Sequence, residues 1–139
     1  MDKTLEELNK IVNSMNILIL EDDPERIRCF KRWFSRHNLT VVNHAQDAID
    51  NLRTKEFSLV FLDHDLDGRV FVPSDEPNTG FQVAVRFGEF SRNFGTNVII
   101  HSMNGPAAQR MERVISMNAI VNLIPFSYGL KQLLDSLDV

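Results

Sequence analysis

Two short apolar runs in this chain each end directly in a group of acidic residues. The runs are residues 16–20 and 58–62, and both place Leu, Ile, Val or Phe at successive rather than alternate positions. Such a run is typical of a strand that is buried on both faces of a parallel sheet. The residues that follow are Glu21, Asp22 and Asp23 after the first run, and Asp63, His64 and Asp65 after the second. Because open α/β sheets bind ligands beyond the carboxyl ends of their strands, we expect these side chains to lie close together.

Carboxylates that crowd into one small volume repel one another unless a proton or a cation lies among them. Oxygen ligands of this kind suit a hard divalent cation. We therefore predict a metal site with Mg²⁺ or Mn²⁺ as the cofactor. Its predicted ligands are Glu21, Asp22, Asp63 and Asp65. A simpler role stays open for Glu21 or Asp23, since either can be the N-cap of the following helix.

The composition is that of one small domain, with 139 residues and ten Phe to fill a core. The net charge is −4 and no stripe of Lys and Arg stands out, which argues against nucleic-acid binding. We interpret the basic residues between Arg26 and Arg32 as a solvated helix face. Cys29 is the only cysteine, which excludes an internal disulfide and fits a reducing compartment. No stretch looks like a membrane span or a secretory signal, so we expect a cytoplasmic protein.

Strands and helices are predicted to alternate along the chain. The predicted strands are residues 16–20, 39–43, 57–62, 96–100 and 119–123. The predicted helices cover residues 24–36, a segment around 45–52, a segment that opens at Gly80, a segment from Asn104 through Ile115, and residues 128–137. This alternation predicts an α/β fold, a doubly wound parallel sheet of five strands with helices on both faces. Residues 67–79 are predicted as a loop, long enough to be a lid or a binding segment.

A short extra helix is predicted before the first strand. Thr4 and Glu7 have the spacing of a capping box, and apolar residues then recur near helical spacing up to Met15. We predict that residues 1–15 are an extension with a helix over Thr4–Asn13, and that residues 16–139 form the main domain. The extension either packs on that domain or contacts a second copy in a homodimer.

The fourth predicted strand also ends in polar residues, namely His101, Ser102 and Asn104. A serine hydroxyl can hydrogen-bond a phosphate oxygen, and the start of the next helix can supply backbone N–H groups. We therefore predict that Ser102 and Asn104 bind phosphate. His101 can act in proton transfer near neutral pH, or strand alternation can point its ring away from the crevice.

Over residues 16–139 the chain resembles the receiver domain of bacterial response regulators. The matching features are the acids Glu21, Asp22 and Asp23 after the first strand, the phospho-accepting Asp63 after the third, Thr79-Gly80 before the third main helix, Ser102 after the fourth strand, and Pro125-Phe126 after the fifth. The resemblance implies a flavodoxin-like sheet of order 2-1-3-4-5 flanked by five helices.

Two departures from the receiver pattern point to one branch of that family. Ile124 stands where receivers have a lysine before the proline, and residues 67–78 form an inserted loop. Lys131 follows a few residues later, with nothing in helix geometry to place it in the pocket. The histidines His64 and His101 beside retained acids are similar to a divergent branch, the cyclic-phosphate processing receiver domains. That resemblance implies a phosphate-containing small molecule as the ligand.

Two functional hypotheses follow from these residues. In the first, the protein is a metal-dependent enzyme that hydrolyses or otherwise processes a cyclic phosphate, with Asp63, His64 and His101 as catalytic residues. Asp65 would then orient His64 or bind a second cation. In the second, it is a stand-alone or degenerate receiver that acts in a phosphorelay or binds a signalling protein. The pair of histidines, the acid Asp65 and the missing lysine at position 124 favour the first.

Overall fold

The computed structural model describes Thr4 and residues 14–136. The predicted helix over Thr4–Asn13 lies, apart from Thr4, outside the described residues, and the predicted extension and domain boundary stay predictions. Among the described residues, no helix is long and apolar enough to cross a membrane.

Five parallel strands form one sheet in the order β2-β1-β3-β4-β5, which confirms the predicted fold class and strand order. The strands are β1 (Asn16–Leu20), β2 (Asn38–Val42), β3 (Leu59–Leu62), β4 (Asn97–Ile100) and β5 (Ile120–Leu123). The helices are α1 (Pro24–Trp33), α2 (Ala45–Thr54), α3 (Gly80–Val85), α4 (Gly105–Ile115) and α5 (Leu130–Ser136). The register aligns Leu20 with Leu62, and Leu62 with Ile100, so three strands end side by side.

The sheet has an apolar layer on each face, which explains why its central strands β1, β3 and β4 are apolar except for Asn16 and Asn97 at their starts. Leu18 and Leu20 of β1 pack on one side with residues of α2, α3 and α4. Ile17 and Ile19 point to the other side, where they pack with residues of α1 and α5. Successive side chains of β1 therefore enter two different cores, and its first acidic residue, Glu21, follows directly where the strand ends.

Some predicted element ends differ from the structure. Helix α1 ends at Trp33 rather than at Arg36, because the chain turns within residues 34–37 to begin β2 at Asn38, whose N–H donates to the carbonyl of Met15. The predicted helix that opens at Gly80 is only six residues long and continues into two 3₁₀ turns, Phe87–Glu89 and Ser91–Asn93. The last helix begins at Leu130 rather than at residue 128.

Gly80 fixes the distance between helix α3 and the end of β3. Its N–H donates to the carbonyl of His64 at 3.1 Å. A Cβ atom at this position would lie 1.9 Å from the backbone oxygen of Asp63. Only a residue without a side chain allows this approach, so Gly80 helps to place the acidic segment that follows β3.

We expect Gly80→Ala to lower the free energy of unfolding by about 1–3 kcal/mol or more, because the added methyl group must push the Asp63 backbone away. Gly105→Ala is the matched control, since a Cβ there meets no atom within 4 Å. That control should change the free energy of unfolding by less than about 1 kcal/mol. Urea unfolding followed by circular dichroism measures both, and equal midpoints for the two variants would contradict the assignment.

Candidate metal and phosphate site

Glu21, Asp63 and His101 meet at the carboxyl end of the sheet. They directly follow β1, β3 and β4, which are neighbours in the sheet. Their backbone N–H groups continue the ladder, with Asp63 donating to Leu20 at 3.2 Å and His101 donating to Leu62 at 3.1 Å. One potential ligand atom from each of the three lies within 4.8 Å of the others. All three side chains are buried, so the fold itself converges two carboxylates and an imidazole.

The Glu21 carboxylate is held by hydrogen bonds on both oxygens. Its Oε1 lies 3.0 Å from Nε2 of His101. Its Oε2 accepts the N–H groups of Asp22 at 3.0 Å and Asp23 at 3.2 Å. Burial by itself raises the pKa of Glu21, but the hydrogen bond and charge of His101 outweigh it and lower the pKa to about 2. Glu21 is therefore ionised at neutral pH.

The Asp63 carboxylate is in the opposite electrostatic situation. It is 4% exposed, and its Oδ1 accepts the N–H of His64 at 2.8 Å. Burial is the main cause that raises the pKa of Asp63 to about 6, and the negative charge of Glu21 adds to it, while His101 opposes it. The protein thus places Asp63, whose pKa is raised, beside Glu21, which is ionised at neutral pH.

The His101 ring points toward the acids and not away from them. Phe30 lies against it with ring centroids 5.3 Å apart, and Phe61 with centroids 6.1 Å apart. Its Nε2 faces Glu21, whereas its buried Nδ1 has no hydrogen-bond partner among the described residues. The structure therefore brings His101 into the acid cluster, which strand alternation alone left open.

Asp22 lies at the edge of the same cleft and connects it to the long loop. Its Oδ2 accepts the N–H of Gly68 at 2.5 Å. Partial burial is the main cause that raises the pKa of Asp22, and the nearby charge of Glu21 adds to it. Asp22 is thus both an acidic wall residue and an anchor of the loop.

Asp65 faces the loop and accepts four hydrogen bonds. Its Oδ1 interacts with Nδ1 of His64 at 2.7 Å, the N–H of Val72 at 3.1 Å and Nδ2 of Asn104 at 3.3 Å. Its Oδ2 accepts the N–H of Phe71 at 2.7 Å. Burial raises the pKa of Asp65, but these hydrogen bonds, led by that of His64, lower it overall. Asp65 therefore holds the loop in place in this structure.

Both nitrogens of the His64 ring are engaged. While Nδ1 contacts Asp65, Nε2 lies 3.0 Å from Oγ of Ser74 in the loop. Arg110 of α4 donates to the same hydroxyl at 2.9 Å. The ring is fully buried. His64 thus joins the end of β3 to the loop, and it does not belong to the group formed by Glu21, Asp63 and His101.

Ser102 and Asn104 are buried and use their polar atoms at the start of α4. Ser102 Oγ accepts the N–H of Asn104 at 3.0 Å. Asn104 is the N-cap of α4, where its Oδ1 accepts the N–H of Ala107 at 3.3 Å. Between them, Met103 is exposed and lines the cleft. The predicted phosphate-binding pair therefore shapes the loop after β4.

Arg26 is a site residue that the sequence interpretation missed. It lies in the first turn of α1, with Nη1 3.5 Å from Oε1 of Glu21 and 3.8 Å from Oδ2 of Asp63. The interpretation of residues 26–32 as a solvated face holds for Arg28, whose side chain is 65% exposed, but Arg26 is only 27% exposed. The sequence feature that could have identified it is its position three to five residues after Glu21, Asp22 and Asp23.

An open cleft of about 450 Å³ lies above the cluster. Its acidic lining residues are Glu21, Asp22, Asp23, Asp63, Asp65 and Asp67, and its basic ones are Arg26 and Arg69. A cleft with both signs of charge can accept a divalent cation on its acids and an anionic group beside its arginines.

Ile124 belongs to an apolar cluster and brings no charge to the cleft. It packs with Trp33 and Phe126 against the core between the sheet and α1 and α5. Lys131 lies 2.5 Å from Asp135 and over the Phe34 ring, and it does not line the cleft. The position that carries a lysine in receivers is therefore structural here.

The solved structures similar to this one include response regulators and receiver domains. The receiver domain of a LuxO repressor protein from Vibrio parahaemolyticus has a TM-score of 0.61 and 16% identity, over 89% of this chain and 88% of that one. The response regulator TrrA from Thermotoga maritima, solved with Mg²⁺ and BeF, has a TM-score of 0.60 and 16% identity, over 88% and 96%. The Mn²⁺-bound response regulator Rcp1 has a TM-score of 0.59 and 16% identity, over 88% and 92%. At these identities the likeness shows the fold.

The sequence comparisons give the family. No curated protein matches this chain significantly. The family model described as the cyclic-phosphate processing receiver domain matches residues 16–117, which is most of the chain and includes all three strand ends of the site. The chain therefore belongs to the family of cyclic-phosphate processing receiver domains.

Proposed function

We propose that this receiver domain binds a divalent cation, Mg²⁺ or Mn²⁺, and hydrolyses a cyclic phosphate in the cleft above Glu21, Asp63 and His101. The observation that carries the proposal is the burial of these three groups within 4.8 Å of one another beneath an open cleft. The description of the family, cyclic-phosphate processing, supports the choice of substrate class.

The residues at the site fit a divalent cation. Glu21 and Asp63 offer carboxylate oxygens, and the pKa of Asp63, which burial and the charge of Glu21 raise, is one that a neighbouring cation would lower again. Asp22 lines the same cleft and can add an oxygen. Asp65 is the weakest of the four predicted ligands, since its oxygens already accept four hydrogen bonds. If His101 also contributes a nitrogen, the mixed set favours Mn²⁺ over Mg²⁺, because Mg²⁺ prefers oxygen ligands.

The proposed reaction opens a cyclic phosphodiester with water. Water adds its oxygen to phosphorus, one ester P–O bond breaks, and the leaving oxygen takes a proton, which gives a linear phosphomonoester. A bound cation would supply charge neutralisation and a more acidic water. Glu21 and Asp63 would hold that cation, whose charge lowers the pKa of Asp63 below its metal-free value, and His101, hydrogen-bonded to Glu21 at 3.0 Å, is the group left to transfer a proton.

We propose that His64 acts through the loop. Its two ring nitrogens tie Asp65 to Ser74, so it orients the segment that forms one wall of the cleft. Replacing His64 would then change substrate binding more than the chemical step. This is distinct from the roles that we propose for Asp63, which would hold the cation, and for His101, which would transfer a proton.

The alternative function is a receiver module that binds a signalling protein. It is favoured by the aromatic contacts from Phe126, which lies under Arg26, to Tyr128, which is 75% exposed. Stable modification of Asp63 by acetyl phosphate, with no turnover of any cyclic phosphate, would support this alternative over the enzyme.

Turnover of cyclic phosphates tests the proposed function. We expect the protein to convert at least one member of a panel of 2′,3′- and 3′,5′-cyclic nucleotides into a linear monoester when Mn²⁺ or Mg²⁺ is present. Asp63→Asn should lower the rate by about 10²-fold or more, because a carboxylate that would hold the catalytic cation is lost. Asp75→Asn, an exposed loop residue, is the control of equal charge. Equal rates for the parent and Asp63→Asn would remove Asp63 from the mechanism.

Titration calorimetry with Mn²⁺ tests the metal site without any substrate. We expect one bound ion per chain, with affinity lowered about tenfold or more by Asp63→Asn, because a carboxylate ligand worth at least about 1.4 kcal/mol is lost. Asp75→Asn should bind Mn²⁺ like the parent. If neither variant changes the affinity for Mn²⁺, the ion binds at a site that does not include Asp63.

The stability of the metal-free protein should depend on the ionisation of Asp63. Its pKa is raised from 3.8 to about 6 on folding, so the ionised form costs stability above pH 6, and this cost disappears as the pH falls toward 4. The shift corresponds to about 3 kcal/mol at most. Asp63→Asn should therefore unfold at a higher urea concentration than the parent at pH 8.

The advantage of Asp63→Asn should shrink as the pH falls from 6.5 to 4.5, because Asp63 of the parent then takes up a proton. Urea midpoints at several pH values, measured with a chelator present, give this difference. A difference between parent and variant that does not change with pH would show that Asp63 is not buried as an ionised group.

A further inference from the structure

We propose that Arg26 is the residue that holds the phosphoryl group of the substrate, by donating hydrogen bonds from its guanidinium to two phosphoryl oxygens. This inference rests on the proposed function and adds to it the residue that binds the anion. It concerns the substrate class of cyclic phosphodiesters and, equally, the phosphomonoester product.

The backbone of Arg26 is fixed at the mouth of the site. Asp23 is the N-cap of α1, and its Oδ1 accepts the N–H groups of Glu25 at 2.8 Å and Arg26 at 3.3 Å. The side chain then reaches across the acid cluster, 3.5 Å from Glu21 and 3.8 Å from Asp63. With 27% of the side chain exposed, the guanidinium lines the cleft rather than being enclosed.

The guanidinium group keeps its donors free. Its contacts with Glu21 and Asp63 are longer than the usual 2.7–2.9 Å of a charged hydrogen bond. Within the described part of the chain, no hydrogen bond engages any of its side-chain nitrogens. A guanidinium presents five N–H donors in a planar fork that matches phosphoryl oxygens in pairs. Arg26 thus offers unused donors where the proposed substrate must lie.

An aromatic ring supports the guanidinium from one side. The Cζ atom of Arg26 lies 5.1 Å from the centroid of the Phe126 ring. Phe126 is itself stacked on Trp33, with centroids 5.7 Å apart and an interplanar angle of 27°. Because the Phe126 ring already restricts the guanidinium of Arg26, that group loses less conformational freedom when an anion binds to it.

The other cations near the cleft are committed elsewhere. Arg69 donates to both oxygens of Glu76, at 2.7 and 3.1 Å. Lys131 pairs with Asp135, and position 124 is an isoleucine in the apolar cluster. Arg26 and Arg69 are the basic residues among the described residues that line the cleft, and Arg26 is the one without a short ion pair to a carboxylate.

The charges predict opposite effects of Arg26 on cations and anions. In the metal-free protein, Arg26 partly offsets Glu21 and Asp63. A divalent cation on those carboxylates would take over that compensation and leave the guanidinium to an anion. Removing Arg26 should thus weaken anion binding and either leave cation binding unchanged or strengthen it, whereas a purely structural role would weaken both.

The test measures Mn²⁺ and orthophosphate binding to the full chain by calorimetry at pH 7, with phosphate titrated both with and without Mn²⁺. We expect Arg26→Ala to lower phosphate affinity about tenfold or more, as loss of charged hydrogen bonds does, with Mn²⁺ affinity equal to or above that of the parent. Arg26→Lys should keep the Mn²⁺ affinity and recover only part of the phosphate affinity, since it cannot bind two oxygens as a fork. Arg28→Ala, on the same helix, is the control and should behave like the parent.

Each outcome separates this inference from the proposed function. Unchanged phosphate affinity in Arg26→Ala would overturn the role of Arg26 while leaving the metal site intact. A parallel fall in Mn²⁺ and phosphate affinities, with an earlier urea midpoint, would show that Arg26 only maintains the structure, and would also overturn it. A parent protein that takes up no Mn²⁺ would contradict the proposed function, and the titration without Mn²⁺ would still decide whether Arg26 binds phosphate.

Discussion

The electrostatic conflict between Glu21 and Asp63 is the constraint on which the site depends. Both carboxylates are buried at adjacent strand ends, where water cannot offset their charges. His101 and the nearby Arg26 compensate Glu21 well enough to lower its pKa to about 2, yet the pKa of Asp63 still rises to about 6. The fold thus places a firmly ionised acid beside one whose ionised form is disfavoured, at the base of an open cleft. This arrangement costs stability without a cation, which is why we assign it to function rather than to folding.

The sequence was sufficient to predict the sheet because burial on both faces leaves a direct mark on it. The continuous apolar runs of β1 and β3 predicted buried parallel strands, and their abrupt change to acids predicted where those strands end. Helix ends were less predictable, since they depend on tertiary contacts. Phe34 fits the helical pattern of residues 24–36, but α1 ends at Trp33 because the chain must turn there to enter β2 at Asn38. Predicted boundaries failed where packing outweighs local preference.

The candidate site was predictable in its position and less so in its partnerships. Strand ends placed the acids together, but no local pattern shows that Asp65 and His64 turn toward the loop. That choice depends on Ser74, Phe71 and Val72, whose positions are set by the path of a long insertion. Arg26 was missed for a related reason, since helical spacing marked it as solvent-facing, whereas its reach across the acid cluster depends on where β3 lies. The chemistry of a side chain is known from its own segment, but its contact partners depend on how the segments fold together.

The central claim is that the carboxylates of Glu21 and Asp63 share one divalent cation. Crystals of the protein grown with Mn²⁺, with anomalous diffraction data collected near the manganese edge, test it most directly. We predict one strong anomalous peak within coordination distance of oxygens from both Glu21 and Asp63, at the floor of the cleft that Arg26 lines. Crystals that hold Mn²⁺ only at other positions, with Glu21 and His101 still hydrogen-bonded as in the metal-free protein and no peak between the two acids, would contradict the account.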